Sequence, residues 1–314
     1  MQAGYVIGMD GGGTGSKGIT ADLAGNTLFT FKGGATNYNG SAKGVIDANM
    51  AEVLEKAAEG LPKEACRGIC IGSAGVSNRE AVQYLEEAVR RAGYTCPVRI
   101  VADSVTAHAG ALKNRDGIIL IAGTGAICYG RKNGQQIRVG GYGHLIDDEG
   151  SAYDIARNIL RAVVRAEDGR AEQTVLQSMV FEQLQIGSIE ELIAWLYAKE
   201  RTKKEIAKLA VLIQKAAEKE DPQALKIQTR AAEALAELCA PAVRFLGEKG
   251  TIALSGSVLQ KNLRIRKQYE QKMQEHFPEL FGKDGAWTIR EAEREADYGA
   301  VLLALEVADG QNRN

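Results

Sequence analysis

The sequence predicts an α/β protein built as two similarly folded domains, each with a mixed β-sheet flanked by helices. Three observations carry that expectation. An apolar run, a glycine-rich turn and a second extended run occupy residues 5–23, and the same device returns at 117–130, about 110 residues further on. Strand and helix patterns then follow each copy, as they do in sheets covered by helices. A chain of 314 residues, 45% of them hydrophobic, is long enough for two cores.

In the first half, residues 4–10, 16–23 and 27–31 alternate as strands, the second and third joined by Ala24-Gly25-Asn26. Val45, Ile46, Met50, Val53 and Leu54 give residues 45–59 an apolar helical face. A buried strand over 67–72 ends at Ser73-Ala74-Gly75-Val76, a helix covers 79–92, and a strand over 97–101 stops at Ala102-Asp103 before a helix to Leu112. In the second half, residues 117–122, 126–130 and 135–139 predict strands, and 151–166 a helix. Helical segments near 173–184, 189–199, 203–219 and 223–247 show no recognisable chemistry and are expected to cover the second domain and to serve dimerisation. Their charge runs, Lys203-Lys204-Glu205 among them, are expected to be solvated faces. A strand at 251–257, a helix at 258–275, a short strand at 286–289 and a final helix from Glu295 complete the order.

The 39 basic and 40 acidic residues leave a formal net charge of -1, which gives no reason to expect nucleic acid or an anionic membrane as partner. No apolar run approaches the ~20 residues of a membrane span, and the N-terminus lacks a signal-peptide pattern. The five cysteines sit in apolar runs, as reduced core thiols of a cytoplasmic protein do. Cys66 and Cys70 have no second pair to complete a zinc set. None of the three histidines, His108, His144 and His276, falls in a triad context.

The chemistry concentrates in glycine-rich stretches. In Asp10-Gly11-Gly12-Gly13-Thr14 a strand ends in a carboxylate and consecutive glycines, whose amides can converge on an anion while the carboxylate holds Mg²⁺ or its waters. Gly13 to Gly18 formally matches G-x-G-x-x-G, but that fingerprint opens a helix, and here a β-branched strand follows. No G-x-x-x-x-G-K-[ST] occurs. Gly123-Thr124-Gly125 repeats the turn, so each half-chain offers a phosphate-binding hairpin. The loop Gly33 to Gly40 is either an ordinary connection or a surface for sugar hydroxyls through Thr36 and Asn37. Asp103 is either a helix N-cap or a ligand residue at a strand's carboxyl end. Gly140 to Ser151 packs glycines around Asp147-Asp148-Glu149, more than a helix dipole requires. Ser255-Gly256-Ser257 is a small-residue turn able to meet a flat base.

Together with Tyr298-Gly299-Ala300, this order of motifs over about residues 5–307 resembles the N-acetylglucosamine kinases and the related BadF/BadG-type ATPase domain, within the sugar kinase, heat-shock-protein and actin superfamily. The resemblance implies two RNase-H-like domains, at 1–112 and 113–296 with a helical insertion over 171–247, and a final helix over 297–314 that packs back on the first. It implies that ATP and an amino sugar bind in an interdomain cleft. Asp10 would hold Mg²⁺ and, with Gly11, Gly12, Gly13, Thr14 and Lys17, phosphate; Gly123, Thr124 and Gly125 would take other phosphates, and Gly256 and Ser257 would lie near adenosine. Thr36, Asn37, Gly75, Asp103, Gly141, Asp148 and Ser151 would surround the sugar, with Asp103 as general base toward the 6-hydroxyl of N-acetylglucosamine. A cytoplasmic homodimer is the implied assembly. Ala126 and Ile127 stand where close relatives carry Ser and Asn, Asp147 replaces a common Gly, and Tyr142 and Tyr38 replace Trp or His, so glucosamine and N-acetylmuramic acid are alternative substrates. A redox-activator ATPase would need a cysteine pair near the phosphate turn, where only Cys128 stands, and a sugar-sensing regulator would need a DNA-binding motif ahead of the first strand.

Overall fold

The computed structural model describes residues 4–12, 15–38, 42–76, 79–282 and 285–311. In chain order its strands and helices are β1 (Tyr5–Gly11), β2 (Ser16–Asp22), β3 (Thr27–Gly33), α1 (Lys43–Ala58), β4 (Cys66–Ser73), α2 (Arg79–Arg91), β5 (Val98–Ala102) and α3 (Asp103–Leu112). Then come β6 (Gly117–Ala122), β7 (Ala126–Lys132), β8 (Gln135–Gly140), α4 (Ala152–Glu167), α5 (Val175–Leu184), α6 (Ile189–Leu196), α7 (Lys203–Ala207), α8 (Leu212–Glu218) and α9 (Pro222–Leu246). The chain closes with β9 (Gly250–Ser255), α10 (Ser257–Lys261), α11 (Leu263–His276), α12 (Pro278–Phe281), β10 (Trp287–Glu291) and α13 (Ala296–Gln311). Contacts divide it into two compact units, one from residues up to Ile119 and from Ala292 onward, the other from Leu120 to Glu291.

The two five-stranded sheets run in the same order. The first is β3-β2-β1-β4-β5 and the second, read from its other edge, β8-β7-β6-β9-β10. Both are mixed: β1–β2 and β7–β8 are antiparallel, while β1–β4, β4–β5 and β9–β10 are parallel. Where the first unit has α1 between its third and fourth strands, the second has α4 to α9.

In the first unit, strand alternation sorts side chains onto two faces. Tyr5, Ile7, Met9, Ile69 and Ile71 join Ile46, Met50 and Leu54 of α1 and Leu85 and Val89 of α2 in one core. Val6 and Cys70 point the other way, against Ala109 of α3 and Ala300, Val301 and Ala304 of α13. The second face is thin because its strands present glycine there. A Cβ on Gly8 would lie 2.2 Å from the Val301 nitrogen, so α13 seats its backbone directly on β1.

The second unit departs from the sequence patterns in two places. Residues 203–219 are not one helix: a 3₁₀ turn over Lys208–Val211 separates α7 from α8. Residues 258–275 are broken at Asn262, whose Oδ1 accepts the Ile265 N–H at 3.0 Å and starts α11. Buried Asp221 ties two helix starts together, accepting Ala224 N–H of α9 on one oxygen and Val175 N–H of α5 on the other, both at 2.9 Å. Among the described residues, no helix is long and apolar enough to cross a membrane.

Candidate active site

In the first unit, three neighbouring strands end level. Asp10 of β1 lies opposite Gly72 of β4, Gly11 opposite Ser73, and Ser73 opposite Ala102 of β5. Asp103 follows Ala102 directly. The register therefore brings Asp10, Ser73 and Asp103 to one edge, the carboxyl edge of the parallel strands, where open α/β sheets bind ligands.

Asp103 is not the N-cap of α3. Ala102 occupies that position without a side-chain cap, and Asp103 opens the first turn, its Oδ1 accepting the Ser104 N–H at 2.8 Å. Asp103 is solvent-exposed. Asp10 is different. Burial pushes its carboxyl from the ordinary 3.8 up to about 6, with Asp103, Asp297 and Glu295 adding repulsion against the opposing pull of Lys17. Lys17, opposite Asp10 in the hairpin, pairs with Glu295 and lies 3.7 Å from Asp297. Burial alone would pull the Lys17 ammonium down, but these carboxylates hold it above its usual range. Its charge thus joins the hairpin to the start of α13.

Thr36, expected to meet a sugar, is fully buried, and a Cβ on Gly11 would sit 2.2 Å from its Oγ1. The hydroxyl faces Gly11 from inside. Ser73 Oγ donates to the Thr36 carbonyl at 3.4 Å, which lays the loop along the end of β4. Asn37 and Gly75 are partly exposed there. Gly13 and Thr14 lie outside the described residues.

In the second unit, the Gly123-Thr124-Gly125 turn is held on several sides. Gly123 N–H donates to the Gly125 carbonyl at 2.9 Å, as Gly12 N–H does to Gly15 in the first unit. The first amides of α4 take the outer carbonyls, Ala152 N–H on Gly123 O at 2.8 Å and Tyr153 N–H on Thr124 O at 3.4 Å. The peptides are trans, so the N–H groups of Thr124 and Gly125 point the opposite way, away from α4. An anion approaching that face meets two amide donors and the exposed Thr124. Gly256 closes against the same turn: at φ +92° its missing Cβ would lie 2.4 Å from the Ala122 carbonyl oxygen. Ser257 is exposed at the start of α10.

Two residues expected on the sugar have other duties here. Ser151 is fully buried and caps α4, accepting the Asp154 N–H at 3.2 Å. Asp148, 4% exposed and at φ +71°, accepts the Ala126 N–H on Oδ1 at 3.1 Å and Lys203 Nζ on Oδ2 at 2.6 Å. A Cβ on Gly125 would be 2.9 Å from that carboxylate. Gly141 packs on Ile127, and its carbonyl accepts from Arg138. Lys203 is the residue that sequence reasoning missed, because a lysine in a charge run carries no signal of a buried partner 55 positions away. His108, read as structural, is buried, with Nε2 donating to the Gly117 carbonyl at 3.0 Å. All five cysteines are free and buried.

Paired sheets of one strand order, each presenting a glycine turn at a strand's carboxyl end, make the two-domain, actin-like fold. The chain belongs to the BadF/BadG/BcrA/BcrD ATPase family, whose model matches residues 7–304. An N-acetylmuramic acid/N-acetylglucosamine kinase of Clostridium acetobutylicum is 33% identical over 314 residues, covering 97% of this chain and 99% of that protein. An N-acetyl-D-glucosamine kinase of Dictyostelium discoideum is 29% identical over 316 residues, covering 95% and 97%. A Chromobacterium violaceum structure, described as a candidate N-acetylglucosamine kinase, shares the fold with a TM-score of 0.75 at 24% identity, covering 96% of this chain and 99% of that one.

Proposed function

We propose that this protein phosphorylates an amino sugar at the expense of ATP, transferring the γ-phosphoryl group to the 6-hydroxyl of N-acetylglucosamine. The observation that carries the reading is the strand register that sets Asp10 and Asp103 on one sheet edge, one partly buried among carboxylates and the other exposed. Family membership and the kinases among its relatives point the same way.

Each residue then has a role. Asp103 accepts the proton of the sugar hydroxyl as that oxygen bonds to the γ-phosphorus and the bond to the bridging oxygen of ADP breaks. Thr124 and Gly125 amides receive phosphate oxygens, and Gly256 and Ser257 lie beside the nucleoside. Asn37 and Gly75 orient the sugar. Asp10 is the residue that would hold Mg²⁺: its neighbouring carboxylates leave it short of positive charge, which a divalent cation would fit. When bound, Mg²⁺ supplies charge neutralisation to the phosphates.

N-acetylmuramic acid and glucosamine are the alternative substrates, since Ala126 and Ile127 follow the phosphate turn. Buried, unbridged thiols support a cytoplasmic setting, and exposed Ile193, Tyr197 and Val211 on the helical segment support a homodimer. The test is ADP release from Mg²⁺-ATP with N-acetylglucosamine, N-acetylmuramic acid, glucosamine and glucose, beside Asp103→Asn. We expect an amino sugar to stimulate turnover and the variant to lose roughly 10²–10⁴-fold in kcat with its fold intact. No stimulation by any sugar, or full activity in the variant, would sink the reading.

A further inference from the structure

We infer that Lys203 is a positioning residue for the nucleotide-binding turn, acting through Asp148. The inference rests on the reading of Gly123 to Gly125 as a phosphate turn. Its starting point is a chain of contacts inside the second unit. Lys203 Nζ lies 2.6 Å from Asp148 Oδ2, Asp148 Oδ1 accepts the Ala126 N–H, and Ala126 ends the turn. The Ala126 amide is thereby drawn toward Asp148, while α4 draws the carbonyls of Gly123 and Thr124 to itself. Together these contacts set the direction in which the Thr124 and Gly125 N–H groups point.

Asp148 cannot hold this place alone. Its carboxylate is 4% exposed, and one amide hydrogen bond leaves most of its desolvation unpaid. Lys203 supplies the missing counter-charge. Of the nearby cations, Arg157 is already bonded to Asp154 at 3.0 Å, and burial holds the His144 imidazole below its usual range. Lys203 is itself fixed. It is the first residue of α7, whose capping box between Thr202 and Glu205 starts the helix at that residue, and α7 packs on α4. The helical segment, which otherwise carries no recognisable chemistry, thus reaches the turn through one side chain that is 28% exposed.

The test measures Mg²⁺-ADP affinity by calorimetry and the ATP dependence of sugar-stimulated turnover in Lys203→Met, Lys203→Arg, Asp148→Asn and the double variant Lys203→Met/Asp148→Asn. We expect Lys203→Met to weaken ADP binding about tenfold and to raise the KM for ATP more than it lowers kcat. Lys203→Arg should stay within about threefold of wild type, because the cation is kept. In the double variant the neutral amide still accepts the Ala126 N–H and needs no counter-charge, so ADP affinity should match that of Asp148→Asn alone. If wild type binds no ADP, the functional reading itself fails. If wild type binds ADP and folded Lys203→Met binds it equally well, or the two losses simply add in the double variant, Lys203 has no positioning role. The double-variant comparison stands even if Lys203→Met alone does not fold.

Discussion

Asp10→Asn should stabilise the ligand-free protein while abolishing its activity. Burial raises the Asp10 carboxyl from 3.8 to about 6, so above that pH the folded state carries a charge it holds less willingly than the unfolded chain does. The sign follows from proton uptake. Between about pH 4 and pH 6 the folded protein binds the Asp10 proton and the unfolded chain does not, so this contribution to stability is full below pH 4 and fades as pH rises to 6. The size is the shift times 1.36 kcal/mol per pH unit, about 3 kcal/mol. A neutral amide of the same shape escapes the cost. Urea unfolding at a series of pH values should show Asp10→Asn more stable than wild type by up to about 3 kcal/mol at pH 7–8, with the gap closing toward pH 4. Mg²⁺-ADP should stabilise wild type and leave the variant nearly unchanged. A variant no more stable at pH 8, or equally stabilised at both ends of the range, would refute the reasoning.

Three glycines give further tests. Gly256→Ala places a side chain at φ +92° and 2.4 Å from the Ala122 carbonyl oxygen, with no flexible group to yield. It should cost about 3 kcal/mol in urea unfolding and weaken Mg²⁺-ADP binding, because the turn must shift. Gly299→Ala in α13 would put a Cβ 1.9 Å from the Thr106 carbonyl oxygen of α3, whereas Gly310 in the same helix has nothing within 4 Å. Thermal unfolding should show Gly299→Ala destabilised by about 2 kcal/mol despite alanine's better helix propensity, and Gly310→Ala neutral or stabilised by up to ~1 kcal/mol.

The succession of strands and helices and the two glycine turns were legible in the sequence because they are local. Period-two alternation in β1 and helix spacing in α1 or α2 depend on residues within one element. The repeat of strand, Gly-Thr turn and strand predicted two similar sheets, and both sheets have the same order. Asp10 and Asp103 were legible as carboxylates at strand ends. What each side chain touches was not. Thr36 and Asn37 are adjacent in the chain, yet one is sealed beneath Gly11 and the other is partly exposed. Ser151 looked available and is a cap. Lys203 looked solvated and holds a buried carboxylate.

By itself, the sequence determined where most strands and helices lie, that two similar sheets form, and which residue types could meet phosphate and sugar. Those properties follow from backbone conformation and burial periodicity, which are written residue by residue. The tertiary structure alone decided that Asp10 would be driven to about 6, that Lys17 would face Glu295 and Asp297, and that Asp148 would be braced by Lys203. Each depends on charges brought together from distant positions, and electrostatic energy is set by distance and burial, neither of which spacing along the chain contains.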